Sequence, residues 1–303
     1  MIGHFARQFR HARAGNRGQA TALFLVTIAT AVAVAFSAIQ IHHIAVWKVA
    51  SAASADAVAL SAATWEARSL NLIAALNDGA TQCFRIIRYT CIVWASLAIA
   101  AAFGAGLPAF LSYTRQARRL ISGYWEIAGQ LVSWSEKIRK AAPYLVLAET
   151  ADLMRKRNLA GILSPTDPRG PHDGKNTLEL HLTPGPPVHL SEAMTPISGA
   201  LNRLKKIRFL KGAMKTVISA LDSAVAGIAG SAGGPIRMLV PEEDFQVRQR
   251  VHFTGFQTVP GLPIPFLGKE GPPKIFAEAD AAPYGGGASE MTWKSRLVES
   301  SSR

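Results

Sequence analysis

Eight histidines and two cysteines have the widest chemical reach in this 303-residue chain. His172, His181 and His189, with Asp173, fall within eighteen residues, where imidazoles could gather round a metal ion. No H-E-x-x-H and no cysteine pair at metal-ligand spacing supports them, so they read as solvated loop histidines. Cys83 and Cys91 stand eight residues apart, about 12 Å along a helix. A disulfide needs Cα atoms within about 7 Å, so Cys91 reads as a small apolar packing residue. Ser231 sits in AGSAGG, without the G-x-S-x-G elbow that exposes a nucleophile. The cluster Gly227, Gly230, Gly233, Gly234 follows a helical pattern instead of opening a helix after a strand, the wrong context for a dinucleotide. G-x-x-x-x-G-K-[ST] is absent from the sequence. No catalytic set, metal, cofactor or small-molecule substrate is expected, and the chain reads as a non-enzyme.

What stands out instead is a basic run. Arg203, Lys205, Lys206, Arg208, Lys211 and Lys215 carry six positive charges with no acid among them. Anionic lipid or an acidic protein partner would suit such a run. No aromatic stacking pattern or recognised module accompanies it, which argues against nucleic acid. A solvated helix face is the plainer reading.

The elements that would position these residues follow from the charge pattern. The formal charge is +13, yet charged residues make up only 17% of the chain and apolar ones 49%. Disordered chains are charge-rich and apolar-poor, and two cysteines exclude a disulfide scaffold. Nine of the thirteen excess charges lie in residues 1–19 and 113–160, beside two charge-free runs. The first has its apolar heart at 20–41 (ATALFLVTIATAVAVAFSAIQI); the second covers 89–114. About 20 apolar residues suffice to cross a bilayer. The first run is longer than a signal h-region and lacks a tidy cleavage site, so it reads as a retained anchor. Arg7, Arg10, Arg13 and Arg17 ahead of it place the N-terminus in the cytoplasm. The second run contains Gly104, Gly106 and Pro108; it is either a second span or a buried or interfacial segment.

The fold expected is mainly α with a small C-terminal α+β region. Residues 1–19 form a basic tail and 20–82 a transmembrane helix running into an Ala-rich rod. That rod is predicted to stop at Asn77-Asp78-Gly79. Residues 83–114 hold the candidate second span, and 115–160 amphipathic helices interrupted at Pro143. These helices lie on a membrane or pack on the protein's own core. A Pro/Gly-rich linker with a short strand candidate, TLELHL, fills 161–190. In 191–303, one helix capped by Thr195 runs to about Gly227, and strands are expected at 235–240, 245–256 and 274–280. Loops are expected at 261–268 and 282–292. The small residues Ala52, Ala55, Ala59 and Ala62 form a seam suited to close helix packing.

The stretch from Asn16 to Asn77, with Arg17-Gly18, a small apolar start to the span and Ala55-Asp56-Ala57-Val58-Ala59-Leu60-Ser61-Ala62-Ala63, resembles the N-terminus of TadE/TadG-like proteins of Tad (tight adherence)/Flp pilus assembly. The alternating 277–281 segment and Trp293-Lys294-Ser295-Arg296-Leu297-Val298 resemble the ending of longer members. The resemblance implies a pseudopilin-like structural component in the bacterial inner membrane, with other Tad-type membrane components as partners. It also implies prepilin-type processing between Gly18 and Gln19. Leu23 stands where pilins carry an acid, which fits the TadG-like type. The alternative expectation is a two-span membrane scaffold that binds a partner or anionic lipid through the basic run at 203–215.

Overall fold

A computed structural model describes residues 2–164, 178–206, 213–231, 233–259 and 274–298. It is mainly helical. One helix, α1 (Ile2–Ala102), continues for 101 residues, about 150 Å at 1.5 Å per residue. Its 20–41 segment is charge-free and exposed along its length, and is long and apolar enough to cross a membrane. From Ser51 onward the same helix becomes the spine of a packed domain.

The expected stop at Asn77-Asp78-Gly79 does not occur; α1 runs through it. Asn77 is buried, and its Nδ2 donates to the carbonyls of Leu239 and Ala288, each at 2.7 Å. A Cβ on Gly79 would lie 3.2 Å from Leu131 Cδ1, so the glycine serves close approach instead of a turn. Tertiary contacts override the local propensity of these residues.

The 89–114 run is not one helix, and a second span is not present in that form. Chain reversal occurs at 103–106, where Gly104 (φ 89°) and Gly106 (φ 75°) adopt the left-handed conformation that a side chain disfavours. Helix α2 (Leu107–Lys156) then returns antiparallel to α1. Trp94 Nε1 donates to Thr114 Oγ1 at 2.9 Å across this hairpin. Cys91, Trp94, Ala98, Ala101, Phe110 and Ala117 fill the space between the arms, and both cysteines are buried free thiols. Pro143 lies inside α2 and does not interrupt it. It forfeits one backbone hydrogen bond, and its ring is buried in the packed interior.

Two layers cover the hairpin. Nearer the apolar 20–41 segment lies a four-stranded antiparallel sheet, order β1-β4-β5-β6, from β1 (Leu159–Ser164), β4 (Val251–Thr258), β5 (Lys274–Tyr284) and β6 (Lys294–Val298). A two-stranded ribbon, β2 (Leu182–Pro184) and β3 (Leu239–Pro241), lies beside it. Toward the far end lie α3 (Leu190–Ala193), α4 (Thr195–Lys206) and α5 (Ala213–Ser231).

Several expectations move. Leu159 begins a strand, not the end of a helix, and the strand within TLELHL starts only at Leu182. Residues 245–248 form a short helix, α6, so β4 starts at Val251. β5 extends into the loop expected from 282; the 261–268 loop lies outside the described residues. Thr195 does not cap forward; its hydroxyl donates back to the Glu192 carbonyl at 2.7 Å. The helix expected from 195 to 227 is two helices. Lys205 Nζ meets Asp222 Oδ1 at 2.8 Å, although seventeen residues of straight helix would part them by about 25 Å.

Side chains alternate along β4: Val251, Phe253, Gly255 and Gln257 face inward. The Phe253 ring lies over Gly255 and its cross-strand partner Gly161, where an added Cβ would come within 2.5 Å of the ring at either site. Gly255→Ala is therefore expected to cost about 1–3 kcal/mol by overpacking. Thermal melts would show a lowered midpoint; an unchanged one would mean the ring swings away freely.

Candidate membrane-contact site

The basic run acquires neighbours in three dimensions. The hairpin tip has Arg85 and Arg88 on α1 and Arg115, Arg118 and Arg119 on α2, all exposed. No acid occurs from residue 79 to 125. Helix α5 lies against this end: a Cβ on Gly227 would sit 2.9 Å from the Arg118 guanidinium. The following chain moves away from the tip. Met238 accepts from Thr81 Oγ1, and the Leu239 carbonyl accepts from Asn77, four residues further back along α1. The start of α5, fourteen residues before Gly227, is thus on the tip side of it. Asp222, which pairs with Lys205, is also on the tip side of Gly227, so α4 runs toward the tip.

Arg203, Lys205, Lys206 and Lys215 are therefore gathered at the same end as the five tip arginines, all exposed. Arg208 and Lys211 lie outside the described residues. Residues 193–221 contain no acid either. Among the described residues, only Lys205 of these nine makes an ion pair. Between them, the end exposes Ile92, Val93, Ile99, Phe103 and Leu111, with Phe103 at 74%. Apolar side chains ringed by unpaired cations are suited to an anionic interface.

The small-residue seam is already occupied. Ala55, Ala59 and Ala62 are fully buried in one core with Val251, Phe253, Ala277, Ala279 and Ala281 of the chain's own sheet. Alanines facing alanines let helix and strand backbones approach closely. Only Ala52 remains exposed for another helix. Gly18 and Gln19 lie within α1, immediately before the apolar stretch. His181 and His189 do not converge with acids or thiols at a metal-binding cluster among the described residues; His172 lies outside them.

Two polar features were not visible in the residue pattern. Glu66 is buried under the sheet, where its carboxyl meets the Gln249 amide and Oε2 has no partner. Gln249 Oε1 in turn accepts from the His181 backbone N–H at 3.0 Å. Loss of hydration pushes the Glu66 pKa up to about 8 despite the Gln249 hydrogen bond, so the side chain is protonated at neutral pH.

On the outer sheet face, His252 Nδ1 bonds Asp280 across the β4–β5 pair, and Nε2 lies 2.8 Å from Thr254 Oγ1. A tautomer donating from Nδ1 leaves Nε2 to accept the Thr254 hydroxyl. The order hydroxyl–imidazole–carboxylate is that of a nucleophile relay. It lies outside the groove between α2 and α5 and ties β4 to β5. That groove, about 570 Å³, has Trp125, Leu190, Ile228 and Ile236 along its apolar side.

Comparison with protein-family models, with curated proteins and with solved structures found no match.

Proposed function

We propose that this chain is a membrane-anchored, non-enzymatic structural component, pseudopilin-like and of the TadG-like type, of a Tad/Flp pilus-assembly or secretion machine. Its place is the bacterial inner membrane, N-terminus in the cytoplasm, with other Tad-type membrane components and the bilayer as partners. One observation carries the anchoring role. The charge-free 20–41 stretch, exposed to the surroundings, continues without a break into the spine of the folded domain. A helix that is apolar all round needs lipid or protein about it, and this one has no protein cover. Arg7, Arg10, Arg13 and Arg17 then hold its start on the cytoplasmic side. Cleavage between Gly18 and Gln19 would leave the mature chain beginning at the span. Ala52, just beyond the span, is the seam position open to a neighbouring helix.

Reporter fusions at residues 65 and 200 test the topology. Periplasmic signals at both are expected, because the whole domain is built on one side of the span. A cytoplasmic signal at 200 with a periplasmic one at 65 would favour the two-span scaffold instead. Mass spectrometry of the mature N-terminus is expected to begin at Gln19; a chain still starting at Met1 removes the processing step.

A further inference from the structure

The two ends of the molecule share one pattern. At the start, an apolar charge-free segment follows four arginines. At the far end, Ile92, Val93, Ile99, Phe103 and Leu111 are exposed among Arg85, Arg88, Arg115, Arg118, Arg119 and the cations of α4 and α5. Residues 79–125 and 193–221 together hold eleven basic residues and no acid. Asp222, next in line, is spent on Lys205. Nine described cations, only one of them ion-paired, therefore share this end with exposed apolar side chains. A protein partner would need a matching acidic rim around an apolar socket; an anionic bilayer supplies phosphates above acyl chains without further design. The charge-free arms reach about 21 Å from Arg88 to Ala102 and about 12 Å from Arg115 back to Leu107. That suits one leaflet of a hydrocarbon core about 30 Å thick and is too short to cross it.

The spine decides which bilayer. From Ile41 to Arg88 the helix is unbroken for 47 residues, about 70 Å. Long helices curve gently but do not fold back without a kink, and α1 has no proline in this stretch. The far end cannot reach the membrane that holds residues 20–41.

We propose that the hairpin tip and the α4–α5 end dock onto the anionic face of a second bilayer, opposite the one that anchors α1. The chain then holds two membranes at a spacing set by its spine. This rests on the anchoring role of residues 20–41.

The test uses the full chain reconstituted in neutral phosphatidylcholine vesicles, mixed with protein-free vesicles containing phosphatidylglycerol. Co-flotation of the two populations is expected, weakening as salt is raised. R115Q/R118Q/R119Q is expected to lower capture of the acidic vesicles about 100-fold, at roughly one order of magnitude or less per cation. Phe103→Asp is expected to abolish insertion while leaving the helical circular-dichroism signal unchanged. A fluorophore on Phe103→Cys should be quenched by nitroxide lipid in the acidic vesicles, Cys83 and Cys91 being buried. No capture of acidic vesicles, or quenching only by nitroxide lipid in the host vesicles, overturns the proposal. Carbonate extraction reads the anchor separately. Release from the host vesicles overturns the anchor and the two-bilayer geometry with it, whereas a retained chain without capture overturns the docking alone.

Discussion

Ala59→Trp is expected to strip the sheet from its spine. Ala59 has no exposed surface, and across from it lie Ala277, Ala279, Ala281 and Phe253. An indole there has no volume to occupy, because the facing strand carries only methyl groups along much of its length. Overpacking by a few methylenes already costs about 1–3 kcal/mol, and a bicyclic ring exceeds that range. Ordinary domains hold about 5–15 kcal/mol in all. The expected result is loss of the β1-β4-β5-β6 layer, seen as protease cleavage within 251–298 while the α1–α2 hairpin persists. Ala52→Trp, on the exposed side of the same seam, should leave proteolysis unchanged. The pair separates two meanings of a small-residue seam. If both variants fold like the parent and only partner co-purification suffers at Ala59, the seam serves other chains and the sheet must lift from it.

The second large effect is a pH dependence. Glu66 is buried and its pKa is raised to about 8, from 4.5 in an unfolded chain. Between those values the folded protein keeps a proton that the unfolded chain has released. Stability therefore falls as pH rises from about 4.5 to 8, the opposite of a salt-bridged carboxylate. At 1.36 kcal/mol per unit the full window corresponds to an upper bound of about 5 kcal/mol. Glu66→Gln keeps a neutral polar group beside Gln249 and removes the titration. Near pH 5 the variant should match the parent; near pH 8.5 it should melt higher, by several degrees for a chain of this size. Melts in detergent micelles at the two pH values measure this. Parallel pH profiles would mean that Glu66 reaches water or a cation in the folded state.

Much of the architecture is legible in the residues alone, for a physical reason. Charge-free runs and the small-residue seam Ala52, Ala55, Ala59 and Ala62 are pattern features, and periodicity reports which face is covered. Asn77-Asp78-Gly79 and Pro143 misled because local propensity is weak beside tertiary contact. The Asn77 amide finds two carbonyls more than 150 residues away, and no local rule anticipates them. The 89–114 run satisfied the length criterion for a span, but its glycines bend it into a hairpin tip. At the candidate site, the run at 203–215 was visible as charge. The convergence of Arg203, Lys205, Lys206 and Lys215 with Arg85, Arg88, Arg115, Arg118 and Arg119 was not, since it depends on α5 lying beside α2. The placement of His252 and Thr254 on one strand face follows from alternation; the arrival of Asp280 requires the register of β4 with β5.

The spine has a mechanical corollary. Because α1 passes from the apolar segment into the domain without a joint, the azimuth of the domain about the helix axis is locked to that of the apolar segment. One residue inserted between Ile44 and Ala50 would turn the sheet by about 100° and lift it about 1.5 Å relative to whatever grips the N-terminal part. Seven inserted residues, two turns, would restore the heading to within about 20° while adding about 10 Å of height. A machine that reads heading would tolerate the seven and reject the one. A machine that reads only height would grade its response with every residue added. An insertion series of this kind makes the protein a key whose angle and length can be cut independently.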